Sequence, residues 1–203
     1  MTKHHHTYLA LGDSYTIGES VALHESFPYQ IVQILRKAGF HFHAPEIVAK
    51  TGWTTFELAE HLLHQQLNPH YDFVTLLIGV NNQYRGLHLD AFEEDFIFLL
   101  NKALYFSNQQ PEKVVVLSIP DWGCTPFAKD KDTEEISKAI NTFNEIIEKH
   151  CQTKKTHLIN ITQHSREAKL HPELLAKDEL HYSGTAHLCW AEKVAALFKD
   201  QIQ

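Results

Sequence analysis

The chain has 203 residues, of which 43% are hydrophobic and 21% charged, with a formal net charge of −7. That length suits one domain over 1–203 with a substantial core, and the negative balance argues against a nucleic-acid partner, which would need clustered Lys and Arg. No run approaches the roughly 20 apolar residues that cross a bilayer, and Met1–His6 leads into the first apolar run without a signal-peptide core, so the expected location is cytoplasmic.

The first element is Tyr8-Leu9-Ala10-Leu11, a short apolar run that fits a buried strand and stops at Gly12. Gly12 permits a sharp exit and leaves Asp13 and Ser14 on the turn beyond. The first turn after such a strand lies at the carboxyl edge of an α/β sheet, where ligands bind. Ser14 there can be a nucleophile, or Asp13 and Ser14 can simply cap the next helix. Taken alone, these residues leave both readings open.

Phe27 to Ala38 places Phe27, Ile31, Ile34, Leu35 and Ala38 at helical spacing, and Gly39 follows as a stop. A weaker strand is expected around Ile47-Val48-Ala49, ending at Gly52. The next helix, Thr55 to Gln66, draws its apolar face from Phe56, Leu58, Ala59, Leu62 and Leu63. Phe73 to Ile78 is the clearest strand, apolar enough to be covered on both faces. It runs into the polar stretch Gly79–Gly86, read as a loop on the sheet edge.

A long helix over Asp90–Ser107 and a strand around Val114–Leu117 come next. The irregular loop Pro120–Pro126 has the character of a binding loop. A helix over Thr133–Cys151, a short strand at Leu158–Ile161 and a last helix from Gly184 to Lys199 complete the chain. Five strands alternating with helices predict a three-layer α/β/α sandwich around a five-stranded parallel sheet.

Cys124, Cys151 and Cys189 are odd in number and widely spaced, which suggests reduced thiols rather than a disulfide framework. Of sixteen histidines, His4-His5-His6 receives no chemical role, and His61 and His64 lack an HExxH context. His41 and His43 can share one side of a strand, but two ligands do not make a zinc site. The expectation is therefore no metal and no cofactor. His24 and His187 are expected at the surface.

Parallel strands all point one way, so Ser14, Gly52 and Asn81 emerge at one edge, joined by the last loop with Asp178 and His181. A serine needs an adjacent base to be a useful nucleophile. Histidine suits that role, and a carboxylate can fix its tautomer. Asp178 and His181, three apart, can come from a single turn.

At these residues the chain resembles the SGNH hydrolases, also called GDSL-type esterases and lipases. Their motifs match Gly12-Asp13-Ser14, Gly52, Gly79-Val80-Asn81-Asn82 and Asp178-Glu179-Leu180-His181, in order over nearly the whole chain. The resemblance implies a flavodoxin-like fold and ester hydrolysis through an acyl-enzyme. It implies Ser14 as nucleophile, His181 as base, Asp178 as orienting acid, and an oxyanion hole of the Ser14 and Gly52 N–H groups with the Asn81 amide. Ser14 Oγ is then expected beside His181 Nε2.

Two positions depart from the family pattern. Asn82 replaces the usual aspartate, for which tuning rather than loss is expected. Tyr182 replaces a frequent proline, which is expected to leave the loop less rigid, with Ser183 capping the last helix. Asp13, Asn82, Gln83, Tyr84, Arg85 and Trp122 are candidate substrate contacts, and Asp121 and Pro126 a further wall. The partner would be a small-molecule ester with a short acyl or O-acetyl group. Acyl transfer or lysophospholipid cleavage by the same acyl-enzyme is the alternative, followed by a non-catalytic binding module.

Overall fold

The structure, a computed structural model, describes residues 4–202; Met1–Lys3 and Gln203 lie outside the described residues. Its five strands are β1 (Tyr8–Gly12), β2 (Glu46–Ala49), β3 (Phe73–Leu77), β4 (Val114–Leu117) and β5 (His157–Ile159). They form one parallel sheet in the order β2-β1-β3-β4-β5. β1, β3 and β4 are buried along their whole length, as their unbroken apolar runs require. The sheet core includes a hydrogen bond from one strand to the next, between Tyr8 Oη and Thr75 Oγ1 at 2.7 Å.

The helices are α1 (Ser14–Ile17), α2 (Phe27–Lys37), α3 (Thr55–His64), α4 (Val80–Tyr84), α5 (Leu89–Phe106), α6 (Thr133–Lys154), α7 (Thr162–Arg166) and α8 (Gly184–Asp200). α2 packs on α8, while α3 packs on α5 and α5 on α6. The chain steps from β1 out to β2 and then back past β1 to β3, β4 and β5, so right-handed crossovers put these two groups on opposite faces, giving the three layers expected. Among the described residues no helix is long and apolar enough to cross a membrane. Cys124, Cys151 and Cys189 are unpaired thiols.

Several local expectations need correction. The segment after β3 is not all loop, because Val80–Tyr84 forms the short helix α4. Phe56 and Leu63 do not join the apolar face of α3 and are exposed. His187 is buried rather than superficial, stacked on Phe27 and packed against Trp190. Its Nδ1 accepts the Phe27 N–H at the start of α2 (3.2 Å). Tyr182 does not loosen the last loop. It is fully buried, and its hydroxyl donates to the Ser165 carbonyl at 3.3 Å. Ser183 stands at the start of α8 without using its hydroxyl as a cap.

Candidate active site

In the turn after β1 the capping role falls to Asp13 and not to Ser14. Asp13 is the cap: its Oδ1 accepts the Tyr15 N–H at 3.0 Å, so Ser14 becomes the first residue of α1. A helix leaves its first N–H groups without intrahelical partners, and that of Ser14 is among them. A side chain at Gly12 would collide with Thr16 Oγ1 and the Leu77 carbonyl, so the close approach of α1 to β3 demands glycine. Burial pushes the Asp13 carboxyl up to about 7, against the Tyr15 N–H bond that favours its charge.

At the opposite end of the chain, Asp178 and His181 face each other from one turn. Asp178 Oδ1 accepts the N–H groups of Leu180 (3.1 Å) and His181 (2.9 Å), and Oδ2 lies 2.6 Å from His181 Nδ1. An ionised carboxylate only accepts, so Nδ1 carries the proton and Nε2 presents a lone pair. Ser20 Oγ, from the loop after α1, donates to the same Oδ2 at 2.5 Å. Partial burial alone would raise the Asp178 carboxyl. The bonds from Ser20, His181 and the two backbone N–H groups outweigh it and hold the group far below the usual carboxylate range.

These pieces meet at a cavity of about 180 Å³ lined by Ser14, Gly52, Asn81 and His181, with Tyr84, Trp122 and Phe127 among its walls. A hydrogen bond between Ser14 Oγ and His181 Nε2 is not among those formed by the described residues. Such bonds often tighten only once substrate is present. A second cavity of about 640 Å³ shares Tyr84 and Trp122 as a border and continues along a mixed lining, with Lys131, Asp132 and Glu135 beside Leu87, Leu89 and Ile136.

Gly52 has φ +81°, a left-handed backbone suited to glycine. Its loop is fastened to α4 residue by residue. Arg85 Nη2 donates to the Gly52 carbonyl (2.5 Å), Asn81 Nδ2 to the Trp53 carbonyl (2.9 Å), and Asn82 Oδ1 accepts the Thr55 N–H (3.0 Å). An amide has two N–H donors, so Asn81 keeps one for the cavity.

Of the candidate substrate contacts, Tyr84 and Trp122 line the cavity with Ser14. Asp13, Asn82, Gln83 and Arg85 do not. Asn82 is buried and spends both ends of its amide on Thr55, with Nδ2 donating to Thr55 Oγ1 at 2.7 Å. Gln83 Oε1 accepts the Trp122 indole N–H (2.6 Å) and so fixes that wall. Arg85 pairs with Glu57 at 3.2 Å. Asp121 is no wall either; it is buried beneath the Trp122 loop and ion-paired with Arg166 at 2.8 Å. Sequence reasoning missed Ser20 altogether, because nothing in its neighbourhood signals a partner 158 residues away.

A parallel sheet with a serine turn and an Asp-x-x-His loop at one edge defines the class of protein. The sequence profile of the GDSL-like lipase/acylhydrolase family matches residues 10–188. The chain belongs to this family and is a hydrolytic enzyme. No curated protein sequence matches it significantly.

Solved structures with the same fold include the lipase/acylhydrolase from Enterococcus faecalis, at 17% identity and a TM-score of 0.71, covering 97% of this chain and 96% of the other. Another is TesA, at 16% and 0.73, covering 96% and 98%. The acetylxylan esterase Axe2 from Geobacillus stearothermophilus matches at 14% and 0.74, covering 97% and 95%.

Proposed function

We propose that the chain hydrolyses short-chain acyl or O-acetyl esters through a Ser14–His181–Asp178 triad. The observation that carries this reading is the 2.6 Å Asp178–His181 contact beside a cavity that Ser14, Gly52, Asn81 and His181 line together. Ser14 Oγ attacks the ester carbonyl as His181 Nε2 takes its proton, while Nδ1–H stays on Asp178. The carbonyl oxygen becomes an oxyanion that accepts from the Ser14 and Gly52 N–H groups and the free N–H of Asn81. Collapse breaks the bond to the alcohol oxygen, which leaves with the proton from Nε2. Water, losing a proton to Nε2, then attacks the acyl-enzyme, and Ser14 recovers its proton as the acid departs.

Cavity size supports the substrate class. About 180 Å³ suits an acetyl or similarly short acyl group rather than a lipid chain. The larger adjoining groove, with Trp122 and Tyr84 at its border and both charged and apolar residues beyond, has room for a bulky alcohol. Axe2, among the structural neighbours, is an acetylxylan esterase, and the alcohol of an acetylxylan is a bulky sugar chain.

The test is a series of 4-nitrophenyl esters of rising chain length, run with the parent and with Ser14→Ala. Expected are rates that peak at acetate to butyrate and a variant at least 10³-fold slower. Equal rates for both proteins would remove Ser14 as nucleophile, and a maximum at long chains would remove the short-acyl reading.

A further inference from the structure

A second cluster of functional side chains lies at the opposite edge of the sheet. Among the described residues, His4, His6 and Asp72 form the one group of three metal-ligating side chains, with one donor atom of each within 4.8 Å of the others. The backbone explains why they meet. His6 bridges in parallel to Phe42, its N–H donating to the His41 carbonyl (2.8 Å) and its carbonyl accepting the His43 N–H (2.9 Å).

In an extended segment alternate residues share a side. His4 and His6 therefore point together, with ring centroids 4.5 Å apart. His5 faces the other way, against His41 and His43 at 5.4 and 5.3 Å.

Asp72 enters just before β3 with its carboxylate already oriented. Oδ2 accepts the Thr7 N–H (2.8 Å) and the Thr7 hydroxyl (3.0 Å). That turns Oδ1 to the imidazoles, 3.2 Å from His4 Nε2 and 3.9 Å from His6 Nδ1. Around a tetrahedral zinc ion with bonds of about 2.0–2.2 Å, neighbouring donors stand roughly 3.3–3.6 Å apart. The two spacings bracket that range. A ligating carboxylate is usually held in place by hydrogen bonds from outside the site, as Thr7 holds Asp72.

We infer that His4, His6 and Asp72 bind a divalent transition-metal ion such as zinc, with Thr7 as the residue that orients Asp72. Three protein ligands leave a fourth position for water, and Asp72 also lines a shallow cavity of about 230 Å³. The ion would join the entry of β1 to the entry of β3. It sits at the far end of β1 from Ser14, so it takes no part in the proposed ester hydrolysis. The sequence hid this site because the third ligand lies 66 residues beyond His6.

The test uses the full chain without an added histidine tag, stripped with a chelator and titrated with zinc by calorimetry. Cobalt, followed by visible absorption, reports the geometry. Expected are one ion per chain, tetrahedral cobalt bands and a raised thermal midpoint. His6→Gln and Asp72→Asn should each weaken binding at least tenfold, Thr7→Val about tenfold or more, and His5→Gln not at all. Circular dichroism and ester hydrolysis check that each variant is folded. Absence of binding overturns the site. So does binding that survives both His6→Gln and Asp72→Asn, or that falls equally in His5→Gln, which would mark the three histidines as a loose tail.

Discussion

Ser20 Oγ donates to Asp178 Oδ2 at 2.5 Å, from a residue whose backbone is left-handed at φ 66°. This bond ties the loop after Ser14, the proposed nucleophile, to the turn that carries His181, the proposed base. Ser20→Gly keeps the backbone conformation at ease and removes only the hydroxyl. A hydrogen bond to a charged group contributes about 1.5–3 kcal/mol, and Asp178 retains three other donors. The expected result is a fall in kcat/KM of about tenfold, with KM changed less than kcat. Steady-state kinetics on a short ester check it.

Neighbouring asparagines should behave oppositely. Asn81→Ala removes a proposed oxyanion donor, and loss of such a donor typically costs about 2.7–4 kcal/mol, or roughly 10²–10³ in kcat. Asn82→Asp should act on stability instead. The Thr55 hydroxyl accepts from Asn82 and donates to Asp95 Oδ2 at 3.1 Å. Its single hydrogen cannot serve two carboxylates, so Asn82→Asp leaves one of them short of a donor. A loss of about 1–3 kcal/mol in urea unfolding is expected, with kcat within a few-fold of the parent.

Asp13 supplies a stability signature that falls with rising pH. Its carboxyl goes from 3.8 to about 7 on folding, so between those values the native state holds a proton that the unfolded chain has lost. The favourable contribution is complete below pH 3.8 and is lost as pH rises through 7. By pH 8.5 the penalty is on the order of 4 kcal/mol. Asp13→Asn keeps the Tyr15 contact without the charge. Relative to the parent it should gain stability between pH 5 and pH 8.5, which urea melts at the two values measure.

His187 should give the reverse slope. Burial, with a smaller effect of nearby His181, pushes its ring down from 6.5 to about 3. The unfolded chain therefore binds the extra proton between those values, and stability is lost as pH falls from 6.5 toward 3. The full loss is on the order of 5 kcal/mol. His187→Asn offers an oxygen where Nδ1 meets the Phe27 N–H. The variant should be weaker at pH 7, because ring packing is lost, yet show a shallower acid dependence. Acid titrations followed by circular dichroism compare the slopes.

The fold was legible because its strands are buried on both faces, so Tyr8–Leu11, Phe73–Ile78 and Val114–Leu117 read as unbroken apolar runs. Helix positions were legible where one side faces the sheet. α4 was not, because five residues with two asparagines carry no period. Ser14, Gly52 and Asn81 could be collected from strand ends, since parallel pairing brings those ends to one edge, whereas Asp178 and His181 were found by their Asp-x-x-His spacing in the last loop. Residues that act by tertiary contact were hidden. Ser20, Asn82, Tyr182 and His187 are each defined by a partner far along the chain. Polar or mildly apolar residues of that kind look the same in a loop as in a core.

The fastening of the Gly52 loop to α4 divides labour along the chain. On the proposed assignment, every group that meets negative charge on the substrate comes from residues 14–81, and every group that carries a proton comes from 178–181, apart from the serine itself. Arg85, Asn81 and Asn82 hold Gly52 and Asn81 together through bonds that use no residue of 178–181. The base loop can therefore be exchanged, lengthened or reset in evolution or in the laboratory while the anion cradle stays intact. Fragments separated within the long span between residues 85 and 178 offer a direct route to a two-piece esterase whose activity returns only on reassembly.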